Sequence, residues 1–326
     1  MKKVLLSFVL LFSLIFIFSA NFLASSMDAQ LMEPIKPVEF IQTDLENKRI
    51  IIGENPWSSA EPSILKFDNI DKGNLILVNG VHPVEKNYIN PTLTELNGKV
   101  PTSKYGLKMA EKATEQLAKM FEDAEKEGIV GLVAVSAYRS FSYQTALYNN
   151  KVNTFKKQGK PEDEAKRLAG RVVAVPGTSE HQTGLAVDIS SANMVSLTGG
   201  LEESFAQTNE GRWLMANAHR YGFIMRYPED KTDITKIIYE PWHYRYVGKP
   251  HAEIIFKKNM CLEEYIDYLK QNKKIEYTTD SGEKFFIYYM ENSGNIKDVE
   301  VWAYIGQVVD VSLDNTGGLI LTLAMD

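Results

Sequence analysis

Two short segments, SEHQTGLAVD at residues 179–188 and EPWH at residues 240–243, constrain the fold of this chain most strongly. Together they contain two histidines, an aspartate and a glutamate. Two imidazoles and one carboxylate can form a zinc site with three protein ligands and a fourth position open for water, and a second carboxylate can act as the base on that water. A chain that uses these residues in this way must fold so that the two segments meet.

The first segment pairs His181 with Asp188. Their seven-residue offset does not place them on one helix face, as the spacing of the HExxH zinc proteins does, and Gly184 lies between them. We therefore expect His181 on a turn that leads into a short apolar strand ending at Asp188. A capping aspartate and a hydrogen-bonded histidine are the alternative. An ionised carboxylate beside a core needs a metal or a cation as its partner, which favours the metal site.

The second segment places Glu240 and His243 three residues apart, with Pro241 between them. Proline disfavours a helical conformation at Glu240, so the pattern predicts an extended or turning stretch at a strand edge. The neighbouring apolar residues, Trp242 among them, would partly desolvate the acid and raise its pKa toward the range useful for a general base. For this segment alone, an edge-strand glutamate and an aromatic-packed histidine are an equal alternative.

Three further residues are candidates for substrate contacts. Arg139 lies in SAYRS, after the strand-like run GIVGLVAVS. A lone arginine there is usually a surface ion pair, but in a metal hydrolase its permanently charged donors can bind a substrate carboxylate or stabilise an oxyanion. Gln144, at the start of the next helix, can assist by hydrogen bonding, and Ser179 can donate to a carboxylate.

The N-terminus has the pattern of an export segment. Lys2 and Lys3 precede an uncharged, largely apolar run at residues 4–27. This pattern is typical of a signal peptide, but the run is also long enough to cross a bilayer as an anchor. Residues 1–27 are therefore predicted to be a signal peptide or a membrane anchor, and in either case the rest of the chain faces outward.

Residues 75–272 are predicted to form one packed domain of helices and short strands. Apolar periodicity predicts helices at residues 106–127, 141–157, 161–170, 210–221 and 261–271. Short apolar runs predict strands at residues 129–136 and 185–189 and an extended stretch at residues 237–246.

The flanking segments differ from this domain in texture. Residues 28–74 are polar, contain prolines and lack sustained periodicity, so they are predicted to be a tether. Residues 273–326 contain short Tyr-, Ile- and Val-rich runs separated by DSG, NSG and NTGG turns. That pattern predicts a small β-rich extension.

Composition excludes several functional classes. The formal net charge of −6 provides no basic excess for binding nucleic acid. The single cysteine, Cys261, rules out a disulfide within the chain and a cysteine cluster for zinc, and it is expected to be a buried small hydrophobe at a helix start. The remaining histidines, His82, His219 and His251, are interpreted as residues that do not bind metal.

The order of the motif residues closely resembles that of the VanY-type D-alanyl-D-alanine carboxypeptidases of the M15 metallopeptidase family. The resemblance rests on Ser179, His181, Gly184, Ala186 and Asp188, followed by Glu240, Trp242 and His243. The SAYRS segment and the LVNGVHP segment around His82 match the same family, and the similarity covers about residues 75–271.

This resemblance implies one zinc ion bound by His181, Asp188 and His243, with Glu240 as the base and Arg139 as the clamp for the substrate or the oxyanion. It implies an α+β fold with a small antiparallel sheet flanked by helices. The expected substrate is the terminal D-Ala of bacterial peptidoglycan stem peptides, at the cell membrane or in the cell wall, and the motif excludes the serine-type carboxypeptidases.

Two alternatives to this function stay open. One is an L,D-carboxypeptidase that acts on tetrapeptide stems, because the zinc ligands do not distinguish the two substrates. The other is a non-catalytic module that binds the cell wall, against which an intact base and ligand set count.

Overall fold

The computed structural model of the protein describes residues 41–44, 47–53, 61–292, 296–304 and 306–325. The predicted export segment and the first part of the predicted tether lie outside these ranges. Within them, the structure contains no helix with the length and apolar character that a membrane crossing requires.

Eight α-helices and fourteen strands form in the described ranges. The helices, in chain order, are α1 Glu111–Lys126, α2 Phe141–Lys157, α3 Glu162–Gly170, α4 Ala192–Thr198, α5 Asn209–Asn217, α6 Thr232–Thr235, α7 Lys249–Lys257 and α8 Leu262–Asn272. The strands are β1 Ile41–Asp44, β2 Arg49–Ile52, β3 Ser63–Phe67, β4 Leu93–Glu95, β5 Lys108–Ala110, β6 Leu132–Ser136, β7 Ala186–Ser191, β8 Phe223–Met225, β9 His243–Tyr246, β10 Lys274–Thr278, β11 Lys284–Glu291, β12 Val299–Ala303, β13 Gln307–Leu313 and β14 Gly318–Met325. The protein thus has a mixed α/β fold with several small sheets.

The sheet that carries the motif segments has the strand order β6-β7-β9-β8, and all its pairings are antiparallel. Strand β7 is buried along its whole length. The pairing of β7 with β9 places Asp188 directly opposite His243, and the pairing with β6 places Ser136 opposite Asp188. The fold therefore brings the two motif segments together, as their chemistry requires.

Helix α1 packs an apolar face into the core beside this sheet. Its buried residues recur at helical spacing and include Leu117, Phe121 and Ala124. The helix begins at Glu111, so the predicted start at residue 106 is wrong. Residues 108–110 form β5 instead, because they pair with β4 in a two-stranded antiparallel sheet.

Helix α2 spans the predicted residues 141–157. It starts there because Ser140 is an N-cap whose hydroxyl oxygen accepts a hydrogen bond from the backbone N–H of Tyr143 at 3.2 Å. This cap places the start of α2 immediately after Arg139.

The predicted tether is wrong over much of its described length, because it contains β1, β2 and β3. These strands form a four-stranded sheet in the order β1-β2-β12-β3, so a strand of the predicted C-terminal extension lies between two strands of the predicted tether. Ile50 and Ile52 are fully buried there. The sequence pattern did not predict these strands because runs of four or five residues show no sustained periodicity. In addition, the strand that pairs with β2 and β3, β12, lies more than 200 residues later in the chain.

Residues 273–326, predicted to be rich in strands, contain β10 to β14. Strands β10, β11, β14 and β13 form an antiparallel sheet. This sheet shares an apolar cluster with α7 and α8 that includes Ile254, Leu262, Ile287 and Ile320. Cys261 is buried at the N-terminus of α8, as predicted.

Candidate active site

His181, Asp188 and His243 form a buried cluster. One ligand atom from each lies within 4.8 Å of the other two. His181 Nε2 is 3.3 Å from Asp188 Oδ1, and His243 Nδ1 is 3.1 Å from the same oxygen. Burial favours the neutral form of Asp188, but the charges of His181 and Arg139 outweigh it and hold the pKa of Asp188 well below its usual value.

The turn before β7 places His181 at this cluster. A 3₁₀ turn at Glu180–Thr183 ends at Gly184, whose φ is +73°. The left-handed conformation favours glycine, and a Cβ added at Gly184 would lie 2.5 Å from Leu93 Cδ2, so the Leu93 side chain would have to shift. The predicted turn into a strand is confirmed, although β7 continues past Asp188 to Ser191 because these residues pair with β6.

The lone pairs that this cluster leaves without hydrogen-bond partners fit a metal ion. His181 Nδ1 lies 2.6 Å from the carbonyl oxygen of Ala137, so this nitrogen donates and Nε2 faces the cluster with its lone pair. Among the described residues, neither His181 Nε2 nor Asp188 Oδ1 has a hydrogen-bond partner, and both are buried. Two imidazole nitrogens and one carboxylate oxygen are a donor set of catalytic zinc sites.

Charge in the cluster sets how a metal would bind. Burial, together with the positive charge of Arg139, lowers the pKa of His181 to about 4, so its ring is neutral and can act as a ligand. Burial also disfavours a charged His243, but the neighbouring carboxylates of Asp188 and Glu180 raise its pKa to about 9 when no metal is bound. Metal binding at neutral pH therefore displaces a proton from His243.

Glu240 lies beside the cluster, in the turn that precedes β9. Its Oε2 atom is 3.7 Å from His243 Nδ1, and the backbone N–H of His243 donates to the Glu240 carbonyl at 3.1 Å. The residue is 8 % exposed, and burial raises the pKa of its carboxyl to about 7. This confirms the predicted direction of the shift, and it provides a proton acceptor that works near neutral pH.

Arg139 is held against the cluster and is not a surface ion pair. Its Nη2 atom donates to Asp188 Oδ2 at 2.6 Å, and its Nε donates to Ser136 Oγ at 2.9 Å. Arg139 thus fixes one oxygen of Asp188 and leaves Oδ1 directed at the two histidines. Guanidinium has five N–H groups, so Arg139 retains donors for a bound molecule.

Gln144 lies behind Arg139. Its Oε1 accepts a hydrogen bond from Arg139 Nη1 at 3.4 Å, and its Nε2 donates to the Ala174 carbonyl at 2.8 Å. Gln144 is buried, and these two contacts hold it against the Arg139 guanidinium, so its predicted part in substrate binding stays a prediction. Ser179 is buried beside His181 and lines the cavity above the cluster, so its predicted hydrogen bond to a substrate carboxylate stays a prediction.

Comparison with known proteins identifies the family. A family model described as VanY: D-alanyl-D-alanine carboxypeptidase matches residues 106–249. A D-alanyl-D-alanine carboxypeptidase of Enterococcus faecium is 33% identical over 293 residues, which cover 88% of this chain and 86% of that protein. This chain belongs to the VanY family of D-alanyl-D-alanine carboxypeptidases.

Solved structures agree with this membership. A vancomycin resistance D,D-pentapeptidase VanY variant in complex with Zn(II) is 39% identical with a TM-score of 0.51, covering 59% of this chain and 98% of that one. The LdcB LD-carboxypeptidase is also 39% identical, with a TM-score of 0.53, and the match covers 63% of this chain and 94% of the LdcB chain. As a member of the VanY family, the protein is a zinc metallocarboxypeptidase.

The cluster of His181, Asp188 and His243 lies in a cavity of about 750 Å³. His181, Asp188, Glu240 and His243 contribute to its lining together with Arg139. Its walls are formed by α2, by the segment before the motif turn and by the segment before α5. The wall residues of these segments are Leu147, Asn150, Lys151, Thr154, Val172, Val173, Ala174, Leu201, Glu202, Glu203 and Ser204. The cavity is large enough for a peptide of several residues.

Sequence reasoning missed two residues of this VanY-family site. Tyr227 lines the cavity, and its ring centroid is 4.8 Å from that of His243. Glu180 is fully buried next to the cluster, with its Oε2 atom 3.7 Å from His243 Nε2. The only sequence signal was the position of Glu180 directly before His181, whereas Tyr227 lies in a segment without a motif.

Proposed function

We propose that this enzyme removes the terminal D-Ala from peptidoglycan stem pentapeptides. The observation that carries the proposal is one cavity that combines a His–Asp–His cluster, a buried glutamate and a positively charged arginine. These are the groups that metal-assisted hydrolysis of a peptide bond next to a free carboxylate requires.

His181, Asp188 and His243 hold the metal in this proposal. Zinc bound there would supply a Lewis acid for the scissile carbonyl and would lower the pKa of water, so that water can lose a proton near neutral pH. Glu240 accepts a proton from the attacking water as the new C–O bond forms. It then delivers that proton to the amide nitrogen as the C–N bond breaks, so D-Ala leaves as an amine and Glu240 returns to its carboxylate form.

Arg139 provides the positive charge at this site. Its fixed contacts with Ser136 and Asp188 leave further N–H groups for a substrate carboxylate or for the oxygen that becomes negative during attack. Gln144 keeps the guanidinium in place, and Ser179 donates a hydrogen bond to the same carboxylate. A free carboxylate held in this way limits cleavage to the last peptide bond.

Two alternatives carry different support. The likeness to the LdcB LD-carboxypeptidase favours an L,D-carboxypeptidase that acts on tetrapeptide stems, because the same cluster serves either substrate. A non-catalytic wall-binding module is disfavoured by Glu240, since a binding module does not need a buried carboxyl with a pKa near that of a general base.

We further propose where the enzyme works. Residues 1–27 act as a signal peptide or an uncleaved membrane anchor, and the packed domain at residues 75–272 lies outside the cytoplasm, where stem peptides are found. Residues 273–326 are an extension of that domain. The net charge of −6 gives no reason to expect a nucleic-acid partner.

The test incubates the purified protein with synthetic pentapeptide and tetrapeptide stems, with and without a chelator, and measures released D-Ala. Glu240→Gln keeps the shape of the side chain but removes the base. We expect it to lower kcat by about 10²- to 10⁴-fold. The matched control is Glu122→Gln, on the exposed surface of α1, which should hydrolyse normally.

Each outcome has one meaning. Release of D-Ala from the pentapeptide that needs both metal and Glu240 supports the proposal. Release that survives the chelator or the Glu240→Gln change overturns the zinc mechanism. Release from the tetrapeptide alone selects the L,D-carboxypeptidase, and peptide binding without release selects the wall-binding module.

A further inference from the structure

The ring of His243 has a second buried contact on the side away from the cluster. Its Nε2 atom faces Glu180 Oε2 at 3.7 Å, slightly beyond hydrogen-bond distance. Both atoms are buried, and neither has a hydrogen-bond partner among the described residues. A buried donor and a buried acceptor without partners are both costly, and a hydrogen bond between these two atoms would satisfy both.

Two arginines hold Glu180 in this orientation. Its other oxygen, Oε1, accepts hydrogen bonds from Arg226 Nε at 2.8 Å and from Arg245 Nη1 at 2.7 Å. The side chains of Glu180, Arg226 and Arg245 are all 0% exposed. Because both arginines bind Oε1, Oε2 is left free and directed at His243.

The arginines are themselves fixed from outside. Arg226 donates through Nη1 and Nη2 to the two oxygens of Glu263 on α8, at 2.8 and 2.7 Å. Arg245 donates through Nη2 to the backbone carbonyls of Asn74 and Ile76, both at 2.8 Å. The two arginines are thus tied to α8 and to the segment before residue 77, whereas Glu180 itself is held directly by Arg226 Nε and Arg245 Nη1.

The cost of burying these groups indicates a role besides stability. Removing charged groups from water is expensive, and well-packed apolar side chains usually stabilise a core at least as well. A carboxylate behind a histidine ligand has a known physical effect: it accepts the second ring N–H, fixes the tautomer and orients the ring toward the metal.

We propose that Glu180 is the positioning residue for His243, and that Arg226 and Arg245 hold it in place. Glu180 keeps the proton of His243 on Nε2, so that Nδ1 presents its lone pair to the metal. His181 is oriented differently, through Nδ1 and the Ala137 carbonyl. This inference rests on the proposed function only in taking His243 as a zinc ligand.

The variant Glu180→Gln tests this role because of how an amide must sit. The two arginines still need an acceptor, so the amide oxygen takes the place of Oε1 and the NH₂ group faces His243 Nε2. Two donors then oppose each other. We expect zinc affinity, measured by competition with a chromophoric chelator, to fall by about 10- to 100-fold. We also expect the ¹⁵N shift of His243 Nε2 to change in the zinc-loaded protein, because its N–H no longer faces a carboxylate acceptor.

The matched control is Glu263→Gln. It removes one charge from the same network, since it weakens the outer partner of Arg226, but it leaves the contact between Glu180 and His243. A purely structural network predicts that both variants lower Tm and that neither changes zinc affinity more than the other. The positioning role predicts that the Glu263→Gln protein keeps wild-type zinc affinity within about threefold.

A more conservative variant covers the case in which Glu180→Gln does not fold. Glu180→Asp keeps the negative charge for the arginines but withdraws the carboxylate from His243 by one methylene. It should lower zinc affinity while Glu263→Gln does not, and wild-type affinity and ring shifts in Glu180→Asp would overturn the proposal. Zinc binding by the wild type without peptide hydrolysis would refute the proposed function and leave this inference intact.

Discussion

Mild acid should weaken the contact between α7 and the C-terminal sheet, because His251 is buried there as a neutral ring. His251 is 1% exposed. Its Nδ1 lies 2.7 Å from the Tyr265 hydroxyl and its Nε2 lies 2.9 Å from Thr322 Oγ1, so it links α7 to α8 and to β14. Burial lowers the pKa of His251 to about 3.

The sign and the size of this effect follow from proton linkage. The unfolded chain binds a proton at His251 below a pKa of about 6.5, whereas the folded protein does not until about pH 3. The stabilising contribution is therefore complete above about pH 6.5 and decreases as the pH falls between these values. The slope is about 1.4 kcal/mol per pH unit, so the loss at pH 5 is about 2 kcal/mol.

Urea unfolding of the metal-free protein at about pH 7.5 and about pH 5 measures this loss. The variants to compare are His251→Gln, which cannot take up the proton, and His82→Gln, which removes a histidine from another part of the domain. Other titrating groups affect all three proteins equally and cancel in the difference. The wild type should lose about 2 kcal/mol more than His251→Gln on acidification, and His82→Gln should behave like the wild type.

The comparison has a clear negative result. If His251→Gln loses as much free energy of unfolding between the two pH values as the wild type does, then His251 is not a buried neutral base. The acid sensitivity of the protein would then have to arise from other groups, and the reasoning from burial at α7 would be wrong.

Three further predictions concern the active site. Removal of zinc by a chelator should abolish hydrolysis, and one equivalent of zinc should restore it; metal analysis beside the activity assay checks this, and full activity without metal contradicts it. Arg139→Lys should lower kcat/KM by about 10²-fold, because one compact ammonium lacks the spread, planar donors with which the guanidinium reaches Asp188, Ser136 and a substrate. An unchanged kcat/KM would contradict that role. Gly184→Ala should lower the free energy of unfolding by about 1–3 kcal/mol, because φ is +73° and the added Cβ would meet Leu93; urea unfolding with no loss would contradict it.

The residues at the metal cluster could be predicted from sequence because the signals that indicate them lie in the neighbouring residues. Asp188 interrupts an apolar strand, and Pro241 keeps Glu240 out of a helix, so each segment carries its own signal. Only the structure gives the strand register that pairs Asp188 with His243, which are far apart in the sequence. That register follows once both strands bury their apolar sides.

The network around Glu180 could not be predicted in this way. Arg226 follows the short strand β8, and Arg245 lies between two tyrosines in β9, and neither sequence context specifies a partner. Their carboxylate partners come from the motif turn and from α8. The strands of the predicted tether were missed for the same reason, since the pairing partner of β2 and β3 is far away in the chain.

Strand β9 connects these two groups of residues through its alternation. His243 and Arg245 are two residues apart, so they lie on one face of the sheet, and Tyr244 and Tyr246 lie on the other face in the apolar core. The same face therefore carries the metal cluster and, directly beside it, the arginine that fixes Glu180. A shift of β9 by one residue would place a tyrosine at the cluster and an arginine in the core. Because the two errors would occur together, the apolar packing of β9 and the geometry of the metal site enforce the same register.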